Sequence, residues 1–381
     1  MPSPINQAMA TTGPVLVIGT GLLGASLGLC LRASGIDVLL EDISPTSLRL
    51  AQDIGAGIPY EDGDGATPEL VVVATPPDVA HRLVSDALRR FPTAVVTDVA
   101  SVKKAVVDEV LENPDLDPAD LARYVGSHPM AGRERSGAGA ADADLFFGRP
   151  WVVVPHDDTA PAALLAVRSL AADIGAVPIQ MDALAHDHAV ALVSHVPQLV
   201  SSLLAGRLVD TSAQALSLAG QGLRDTTRIA ASDPRLWTTI LAGNAGPVVE
   251  VLKAFDEDLT ALITHLERAS ELGPLRGGSV GSVHRVIEAG NRGVARIPGK
   301  HGGAPQRYAE LEVLIPDTPG SLGRLFTELG EIDVNIEDLT LEHSAGQKVG
   351  LARIMIDPGR LTTAQSELEK RGWRLILGAT E

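Results

Sequence analysis

The glycine pattern Gly19-Thr-Gly-Leu-Leu-Gly24 constrains the fold of this chain more than any other short stretch. It follows the apolar run Val15–Ile18, which is typical of a buried strand, and precedes an apolar helical pattern at residues 25–33. Glycines at this spacing permit a tight turn, a close approach of the backbone to a pyrophosphate, and close packing of the helix on the strand. Because the pattern lies between a strand and a helix, it predicts a dinucleotide-binding β-α-β unit.

An acidic pair, Glu41-Asp42, follows the second apolar run at residues 37–40. A carboxylate at this position binds the ribose hydroxyls of a dinucleotide and repels the 2′-phosphate of NADP, so we expect NAD as the cofactor. Asp42 is the expected ligand because it opens the helix-start pattern Asp-x-x-Pro, and Glu41 is expected to be a solvated surface acid. The predicted cofactor contacts are Gly19, Gly21, Leu22, Leu23, Gly24, Asp42, Thr75 and Pro76.

Further apolar runs at residues 70–74, 94–97, 124–125 and 151–154 alternate with helical patterns. Continuous apolar strands separated by helices indicate a parallel sheet that is covered on both faces. We therefore expect an α/β fold, with a Rossmann-type parallel sheet in residues 13–181. Ligands bind at the carboxyl ends of such strands, so the loops after them are expected to converge on the cofactor.

His128 is predicted to lie in a glycine-bounded loop directly after the run at 124–125. An alcohol that loses hydride to a nicotinamide also loses its hydroxyl proton, which an imidazole can accept. A histidine that only satisfies the hydrogen bonds of its loop is the alternative. Ser101 is the expected neighbour of His128, and its alternative role is to cap a helix that begins near Val102.

Residues 182–290 show no strand-like alternation, and their pattern predicts an all-helical domain. Pro197 removes a backbone donor within the first of these helices and is expected to kink it beside His195. His195 is interpreted as a site residue or a core histidine at that kink. His186 and His188 lack metal-ligand spacing and are expected to be surface or capping residues, so no metal site is predicted.

Arg224 and Arg228 are four residues apart, and we expect them on one face of a helix after a glycine turn. In a chain with a net charge of −17, two such arginines form a local cationic cluster that suits a dicarboxylate. Surface arginines that pair with acids such as Asp225 are the alternative. Trp237, nearby in the sequence, can be a core residue.

Residues 291–306 are rich in glycine, proline and basic side chains, and this composition predicts a linker. Residues 307–381 then follow the order strand, helix, strand, strand, helix, strand. That order predicts a ferredoxin-like unit.

Charge and composition exclude several classes of protein. The net charge of −17 disfavours nucleic-acid partners, and no apolar run approaches the roughly 20 residues of a membrane span. The single cysteine, Cys30, excludes an internal disulfide, and the first residues lack the pattern of a signal peptide. We expect a cytoplasmic protein without membrane segments.

Several motifs together resemble the prephenate and arogenate dehydrogenase (TyrA-type) family across nearly the whole chain. They are the Rossmann glycines, the turn at 98–103, His-Pro-Met-Ala-Gly-x-Glu at 128–134, Ser-His-x-Pro at 194–197 and Arg-Asp-Thr-Thr-Arg-Ile-Ala at 224–230. The resemblance implies that His128 accepts a hydrogen bond from the ring hydroxyl of the substrate. It also implies that Ser101 bridges His128, substrate and nicotinamide.

The same resemblance implies that Arg228 pairs with a substrate carboxylate, supported by Arg224 and His195. It further implies that Glu134 borders the pocket and that Trp237 reaches the site of a neighbouring subunit. The helical domain would then form a homodimer.

The implied activity is NAD-dependent oxidative decarboxylation of prephenate to 4-hydroxyphenylpyruvate in tyrosine biosynthesis. Arogenate dehydrogenase, which forms tyrosine directly, is the alternative within the enzyme class. A regulator that binds NAD and an amino acid without catalysis is a remote alternative, against which the site histidine and arginines argue. A β-hydroxyacid dehydrogenase would need a catalytic lysine in the helical domain, where Lys253 has no supporting motif.

Two stretches near the C-terminus, 317–322 and 334–338, resemble the ACT domain, a module that binds amino acids. The resemblance implies a tyrosine effector site at Asp317, Gly320 and Asn335. A dimerisation module without a ligand is the alternative, because Asp317 and Gly320 also suit an ordinary helix start.

Overall fold

The computed structural model describes residues 9–61, 63, 65, 67–132, 137–273, 279–298, 308–343 and 349–376. The chain divides into two compact units. The first comprises Met1–Thr211 and Thr226–Asp256, and the second comprises Ser212–Asp225 and Glu257–Glu381.

An eight-stranded sheet with the strand order β3-β2-β1-β4-β5-β6-β7-β8 forms the centre of the first unit. Its strands are β1 (Val15–Ile18), β2 (Val38–Glu41), β3 (Ile58–Pro59), β4 (Leu70–Val73), β5 (Val95–Asp98), β6 (Tyr124–Pro129), β7 (Pro150–Val154) and β8 (Val177–Gln180). Helices α1 (Leu22–Ala33), α2 (Pro45–Asp53), α3 (Pro77–Arg90), α4 (Lys104–Leu111), α5 (Pro118–Leu121) and α6 (Pro161–Asp173) connect them.

The sheet is parallel from β3 to β6, but β7 pairs antiparallel with β6 and parallel with β8. The prediction of an entirely parallel sheet is therefore wrong at this edge. The apolar run in β7 is buried over four of its five residues, and such a run has the same composition in either strand direction.

Both faces of the sheet are covered, as predicted. Val15 and Val17 of β1 pack in one buried cluster with Leu27 and Leu31 of α1. The alternate residues of β1 belong to a second cluster that includes Val84 and Leu88 of α3. Because successive side chains of a strand point to opposite faces, the two clusters lie on opposite sides of the sheet.

Helices follow the sheet along the chain, as the sequence predicts. They are α7 (Ala183–Val190), α8 (Val196–Gly206), α9 (Ala213–Leu216), α10 (Gln221–Thr227), α11 (Pro234–Gly243), α12 (Ala245–Leu272) and α13 (Ser279–Val294). The irregularity expected near Pro197 is a five-residue π-helical turn, Ala191–His195, between α7 and α8. Pro197 lies in the first turn of α8, where its missing N–H is not needed.

Among the described residues, the stretch Ala183–Gly206 is long and apolar enough to span a membrane by length and composition alone. The π-helical turn interrupts it, and its buried residues include His186, Asp187 and Gln198. All three make hydrogen bonds to other parts of the first unit. One third of its apolar window, 33%, is buried within the structure.

The second unit contains a four-stranded antiparallel sheet with the order β10-β11-β9-β12. Its elements are β9 (Ala309–Pro316), α14 (Ser321–Glu331), β10 (Asp338–His343), β11 (Val349–Ile356), α15 (Leu361–Lys370) and β12 (Arg374–Ile376). Alternate residues of β9 and β11 form a buried cluster with apolar side chains of α14 and α15. Both helices therefore pack on the same face of this sheet.

Candidate active site

The glycine turn after β1 contains two positions that only glycine can occupy. Gly19 has a φ of +99°, and a Cβ there would lie 2.6 Å from the carbonyl oxygen of Ala74. A Cβ on Gly24 would lie 1.9 Å from the carbonyl oxygen of Gly19. Gly21 differs, because a Cβ there would meet no atom within 4 Å.

Gly21 is the N-cap of α1 and provides no side-chain hydrogen bond to the first N–H groups of that helix. A helix N-terminus with free N–H groups and open space in front of it attracts an anion such as a pyrophosphate. The turn therefore fits the phosphate-binding role that the sequence predicts for Gly21, Leu22 and Leu23.

Asp42 follows β2 and connects this strand to the glycine turn. Its Oδ2 accepts hydrogen bonds from the backbone N of Thr20 at 2.6 Å and from the Thr20 hydroxyl at 2.7 Å. Its Oδ1 accepts from the backbone N of Ser44 at 2.8 Å. The neighbouring Glu41 is partly exposed and forms an ion pair with Arg90 at 2.7 Å.

Thr75 follows β4, and the methyl group of its side chain lies close to Gly19. Its hydroxyl oxygen is buried and has no hydrogen-bond partner in the part of the chain that the structure describes. A buried polar atom without a partner marks a position that a bound ligand can satisfy. Pro76, the next residue, is the exposed N-cap of α3.

His128 lies within a strand and not in the loop that the sequence predicts. β6 extends to Pro129, and His128 pairs with Val152 of β7. The apolar pattern ends at Val125 because the last residues of this strand are polar, so the pattern underestimates the length of the strand. His128 consequently projects from a rigid element at the same sheet edge as the glycine turn, since β1 and β6 run parallel.

A chain of hydrogen bonds connects His128 to His186 and Asp187 of α7. Its Nδ1 lies 2.9 Å from Nε2 of His186, and Nδ1 of His186 lies 2.7 Å from Oδ1 of Asp187. His186 is completely buried, so the expectation that it is a surface or capping residue is wrong. His188 is half-exposed and lies near Glu250, in agreement with that expectation.

Asp187 also caps α4. Its two oxygens accept from the backbone N of Lys103 and of Lys104, each at 2.9 Å. The alternative role of Ser101 as the helix cap is therefore wrong, since α4 begins at Lys104 and its cap comes from α7. Ser101 is half-buried in the turn before α4, and none of the hydrogen bonds of the described residues joins it to His128.

A buried ion pair lies behind the same turn. The ammonium group of Lys103 bonds to Oδ1 of Asp98, and the Tyr124 hydroxyl donates to Oδ2 of Asp98 at 2.8 Å. Burial lowers the pKa of Lys103, although the adjacent carboxylate of Asp98 opposes this effect. Burial together with the charge of Asp98 raises the pKa of Tyr124 well above its ordinary value.

The environment disfavours a charged His128. Burial is the main cause that lowers its pKa well below the ordinary value, and His186, Lys103 and His195 contribute in the same direction. His128 is therefore neutral near pH 7, the form in which a ring nitrogen can accept a proton.

His195 ends the π-helical turn and is almost completely buried. The Nδ2 group of Asn244 donates to the backbone oxygen of Asp187 at 2.8 Å and lies 3.0 Å from Nδ1 of His195. Because a carbonyl oxygen only accepts, the amide orientation is fixed and Nδ1 of His195 is an acceptor. Burial lowers the pKa of His195 to about 4. The ring of Trp237 meets His195 edge-on, with the ring centroids 6.1 Å apart.

The two predicted arginines do not share a continuous α-helix. Arg224 is in α10, which ends at Thr227, and Arg228 begins the 3₁₀ turn Arg228–Ala230. The helix changes from α to 3₁₀ between them, and their sharing of one face stays a prediction. The 3₁₀ turn packs against α8, the helix that directly follows His195. Glu134 lies outside the described residues.

The fold and the site define a nucleotide-binding α/β protein with a buried histidine network at the carboxyl edge of its sheet. Residues 27–180 match the family model of the prephenate dehydrogenase nucleotide-binding domain, and residues 182–272 match that of the prephenate dehydrogenase dimerization domain. A probable prephenate dehydrogenase, NovF, from Streptomyces niveus is 35% identical over 360 residues, covering 94% of this chain and 98% of the relative. The chain belongs to the prephenate dehydrogenase family.

Two solved structures resemble the chain over about three quarters of its length. The prephenate dehydrogenase from A. aeolicus, in complex with hydroxyphenyl propionate and NAD+, has a TM-score of 0.64 and 27% identity, covering 74% of this chain and 96% of its own. The arogenate dehydrogenase from Synechocystis has a TM-score of 0.59 and 26% identity, covering 74% of this chain and 98% of its own.

Proposed function

We propose that the chain is an NAD-dependent prephenate dehydrogenase, which oxidises the ring carbinol of prephenate and releases CO2 to form 4-hydroxyphenylpyruvate. The proposal rests on His128, a neutral histidine that is hydrogen-bonded to the buried His186. His128 lies near the carboxyl end of β6, at the same edge of the sheet as the glycine turn. Membership of the family and the 35% identity to a probable prephenate dehydrogenase support the same substrate.

Bound NAD would supply the acceptor for the hydride that leaves the carbinol carbon. In the proposed complex, the N-terminus of α1 at Gly21, Leu22 and Leu23 binds its pyrophosphate. Asp42 binds the ribose hydroxyls through the acceptor capacity that its bonds to Thr20 and Ser44 leave free. Thr75 and Pro76 border the nicotinamide half, where the Thr75 hydroxyl would gain the partner that it lacks among the described residues.

His128 would accept the hydroxyl proton of the substrate at Nε2. Its Nδ1 already faces His186 at 2.9 Å, so Nε2 is the ring nitrogen that remains for substrate. Ser101, in the turn after β5, would bridge this histidine and the nicotinamide. These groups act mainly by positioning the hydroxyl and by stabilising the charge that develops as the carbonyl forms.

Arg228 would pair with a carboxylate of the substrate. His195 is expected to assist through Nε2–H, the donor that remains once its Nδ1 accepts from Asn244. Arg224, Glu134 and Trp237 stay predicted contributors, and Trp237 is already placed against His195 within its own chain.

Arogenate is the second candidate substrate. The similarity to the Synechocystis arogenate dehydrogenase favours it, and arogenate differs from prephenate only in having an amino group where prephenate has a keto group. Both substrates carry a second carboxylate, so the arginines and His195 suit either one.

For residues 307–381 we propose an ACT domain with a tyrosine site at Asp317, Gly320 and Asn335. The order and antiparallel pairing of the six elements support it. Gly320, with a φ of +89°, directly precedes α14, and a Cβ there would meet no atom within 4 Å. A dimerisation module without ligand is the alternative.

We also propose a cytoplasmic homodimer. The match to a dimerization domain supports the dimer, and exposed apolar side chains on α12 such as Leu259, Ile263 and Leu266 would be covered by it. An acidic chain with a single cysteine is suited to a reducing compartment.

The test is NADH formation by the purified protein with prephenate and with arogenate, each with and without tyrosine. We expect turnover of prephenate and inhibition by tyrosine. Preference for arogenate would change the substrate, while no turnover of either would reject the proposed activity. An unchanged rate and melting temperature with tyrosine would favour the dimerisation module.

A further inference from the structure

Two buried residues of α7, His186 and Asp187, contact no expected substrate position, yet they connect two site histidines. Asp187 is 2% exposed and His186 is completely buried. They lie far from His128 in sequence and reach it because α7 packs beside α4 at the carboxyl edge of the sheet. A buried donor without an acceptor is costly, so the hydrogen bonds of this chain define where its protons lie.

The proton positions follow from the ionised end of the chain. Burial would raise the pKa of Asp187, but hydrogen bonds from His186, Lys103 N and Lys104 N outweigh this effect and lower it. An ionised carboxylate only accepts, so Nδ1 of His186 carries a proton. With this as the single proton of the ring, Nε2 of His186 is an acceptor. Nδ1 of His128 must then donate to that Nε2 across 2.9 Å, which leaves Nε2 of His128 unprotonated.

Asp187 determines the state of the second histidine through its backbone. Its carbonyl oxygen accepts from Asn244, and this bond directs the second amide proton of Asn244 to Nδ1 of His195. His195 therefore carries its proton on Nε2. Through its side chain and its backbone, Asp187 thus leaves Nε2 of His128 as a free acceptor and Nε2–H of His195 as a free donor.

We propose that His186 and Asp187 are positioning residues that hold His128 in the Nδ1–H tautomer and thereby make its Nε2 the proton acceptor of the reaction. The expected effect on the reaction rate rests on the proposed function, whereas the tautomer of His128 does not depend on it. When Nε2 takes the hydroxyl proton, the imidazolium of His128 still donates from Nδ1 to His186. The ionised Asp187 at the far end stabilises the new charge.

Substitution of His186 tests the proposal. His186→Leu removes the acceptor for Nδ1–H of His128, and we expect kcat with prephenate to fall about 100-fold while the Kd for NAD changes less than about twofold. His186→Gln can accept the same hydrogen bond through its amide oxygen, so it should recover about 10-fold of the loss and keep the fold. His188→Leu is the matched control on the same helix, because His188 is half-exposed and outside the network.

Two further measurements separate a positioning role from a structural one. In the pH profile of kcat, the acidic limb should shift in His186→Leu and keep its position in His188→Leu. Nitrogen NMR of the full-length protein with labelled histidine should find His128 with its proton on Nδ1, and His186→Leu should move that proton to Nε2.

The NMR result keeps the two proposals distinguishable. A His186-dependent Nδ1–H tautomer in a protein that does not oxidise prephenate would support the positioning role and reject the proposed function. If active protein shows His128 protonated on Nε2, or if His186→Leu retains wild-type kcat and pH profile, the positioning role is overturned.

Discussion

At the scale of single residues, Asp187 shows how much one buried carboxylate can organise. Its side chain caps α4 and orients His186, and its backbone oxygen orients Asn244. Each of these partners is a donor that would otherwise be buried without an acceptor, at a cost of about 1–3 kcal/mol per group. The geometry of both site histidines therefore depends on a residue that does not face the expected substrate.

The buried neutral His195 predicts a dependence of stability on pH. Its pKa is lowered to about 4, whereas an unfolded histidine titrates near 6.5, so the unfolded chain binds more protons between these values. We expect full stability above pH of about 6.5 and a progressive loss, reaching roughly 3 kcal/mol, as the pH falls to about 4. Urea unfolding across this window measures it.

His195→Gln should make that pH dependence shallower, because the unfolded variant no longer gains the proton. His188→Gln is the control, since this half-exposed side chain lies outside the buried network. Equal slopes in the wild type and His195→Gln would contradict the assignment of a buried neutral imidazole.

Asp42 predicts the cofactor preference. Asp42→Asn removes the negative charge that repels a 2′-phosphate, and we expect the ratio of kcat/KM for NAD to that for NADP to fall about 10-fold or more. Glu41→Gln is the matched control because Glu41 is engaged with Arg90 and should leave the ratio unchanged. A wild-type protein that prefers NADP would reject this role for Asp42.

At the scale of elements, two glycines of the turn between β1 and α1 have different roles. Gly24 is required for the turn to fold, whereas Gly21 is expected to leave space for the cofactor. Gly24→Ala would place a Cβ 1.9 Å from a carbonyl oxygen of the turn, so we expect loss of folded stability by 1–3 kcal/mol or more, as in overpacked cores. Gly21→Ala meets no atom within 4 Å, so it should fold normally and weaken NAD binding.

Thermal melts and NAD titrations of both variants check this contrast. Gly21 has a φ of −70°, which alanine adopts without strain, so its variant is a fair test of space for the cofactor. Unchanged NAD affinity in Gly21→Ala would remove the proposed pyrophosphate position.

The elements of the first unit could be predicted where the pattern is apolar. The strand Val15–Ile18 and its glycine turn lie as predicted, because burial on both faces produces a continuous apolar run. The apolar pattern does not predict β3 or β8, since both are short edge strands with mostly exposed residues. The direction of β7 is set by its connection and not by its composition.

The candidate site could be predicted only in part, and for a related reason. The motif around His128 indicated its chemistry, but it did not indicate that β6 continues through this residue. His186 lies 58 residues further along the chain from its partner His128, and nothing in its local pattern distinguishes it from the exposed His188. Contacts between distant segments are fixed by tertiary packing, which a single sequence does not report.

At the scale of the whole molecule, an exposed apolar face lies on α12, within the residues 182–272 that match the dimerization domain. Leu259, Ile263 and Leu266 recur at helical spacing and are each 43–50% exposed. Ile263→Asp places a charge in this face, and we expect it to convert a dimer into a monomer of 39.7 kDa in sedimentation experiments.

Arg268→Asp is the control for that variant, since it introduces the same carboxylate on the opposite side of the helix and should leave the dimer intact. If Ile263→Asp sediments like the wild type, or the wild type is itself a monomer, the proposed dimer face is wrong.

We propose that His128, held by its network at the edge of the sheet, accepts the proton during oxidative decarboxylation of prephenate. The most direct test measures NADH and CO2 together, for the wild type and for His128→Asn, which keeps a donor for His186 but has no Nε2. We predict equal amounts of NADH and CO2 from the wild type, and a rate lower by about 10²–10⁴-fold in His128→Asn with NAD affinity retained. Near-normal turnover in this variant would contradict the role of His128, and no NADH and CO2 from the wild type would contradict the proposed activity.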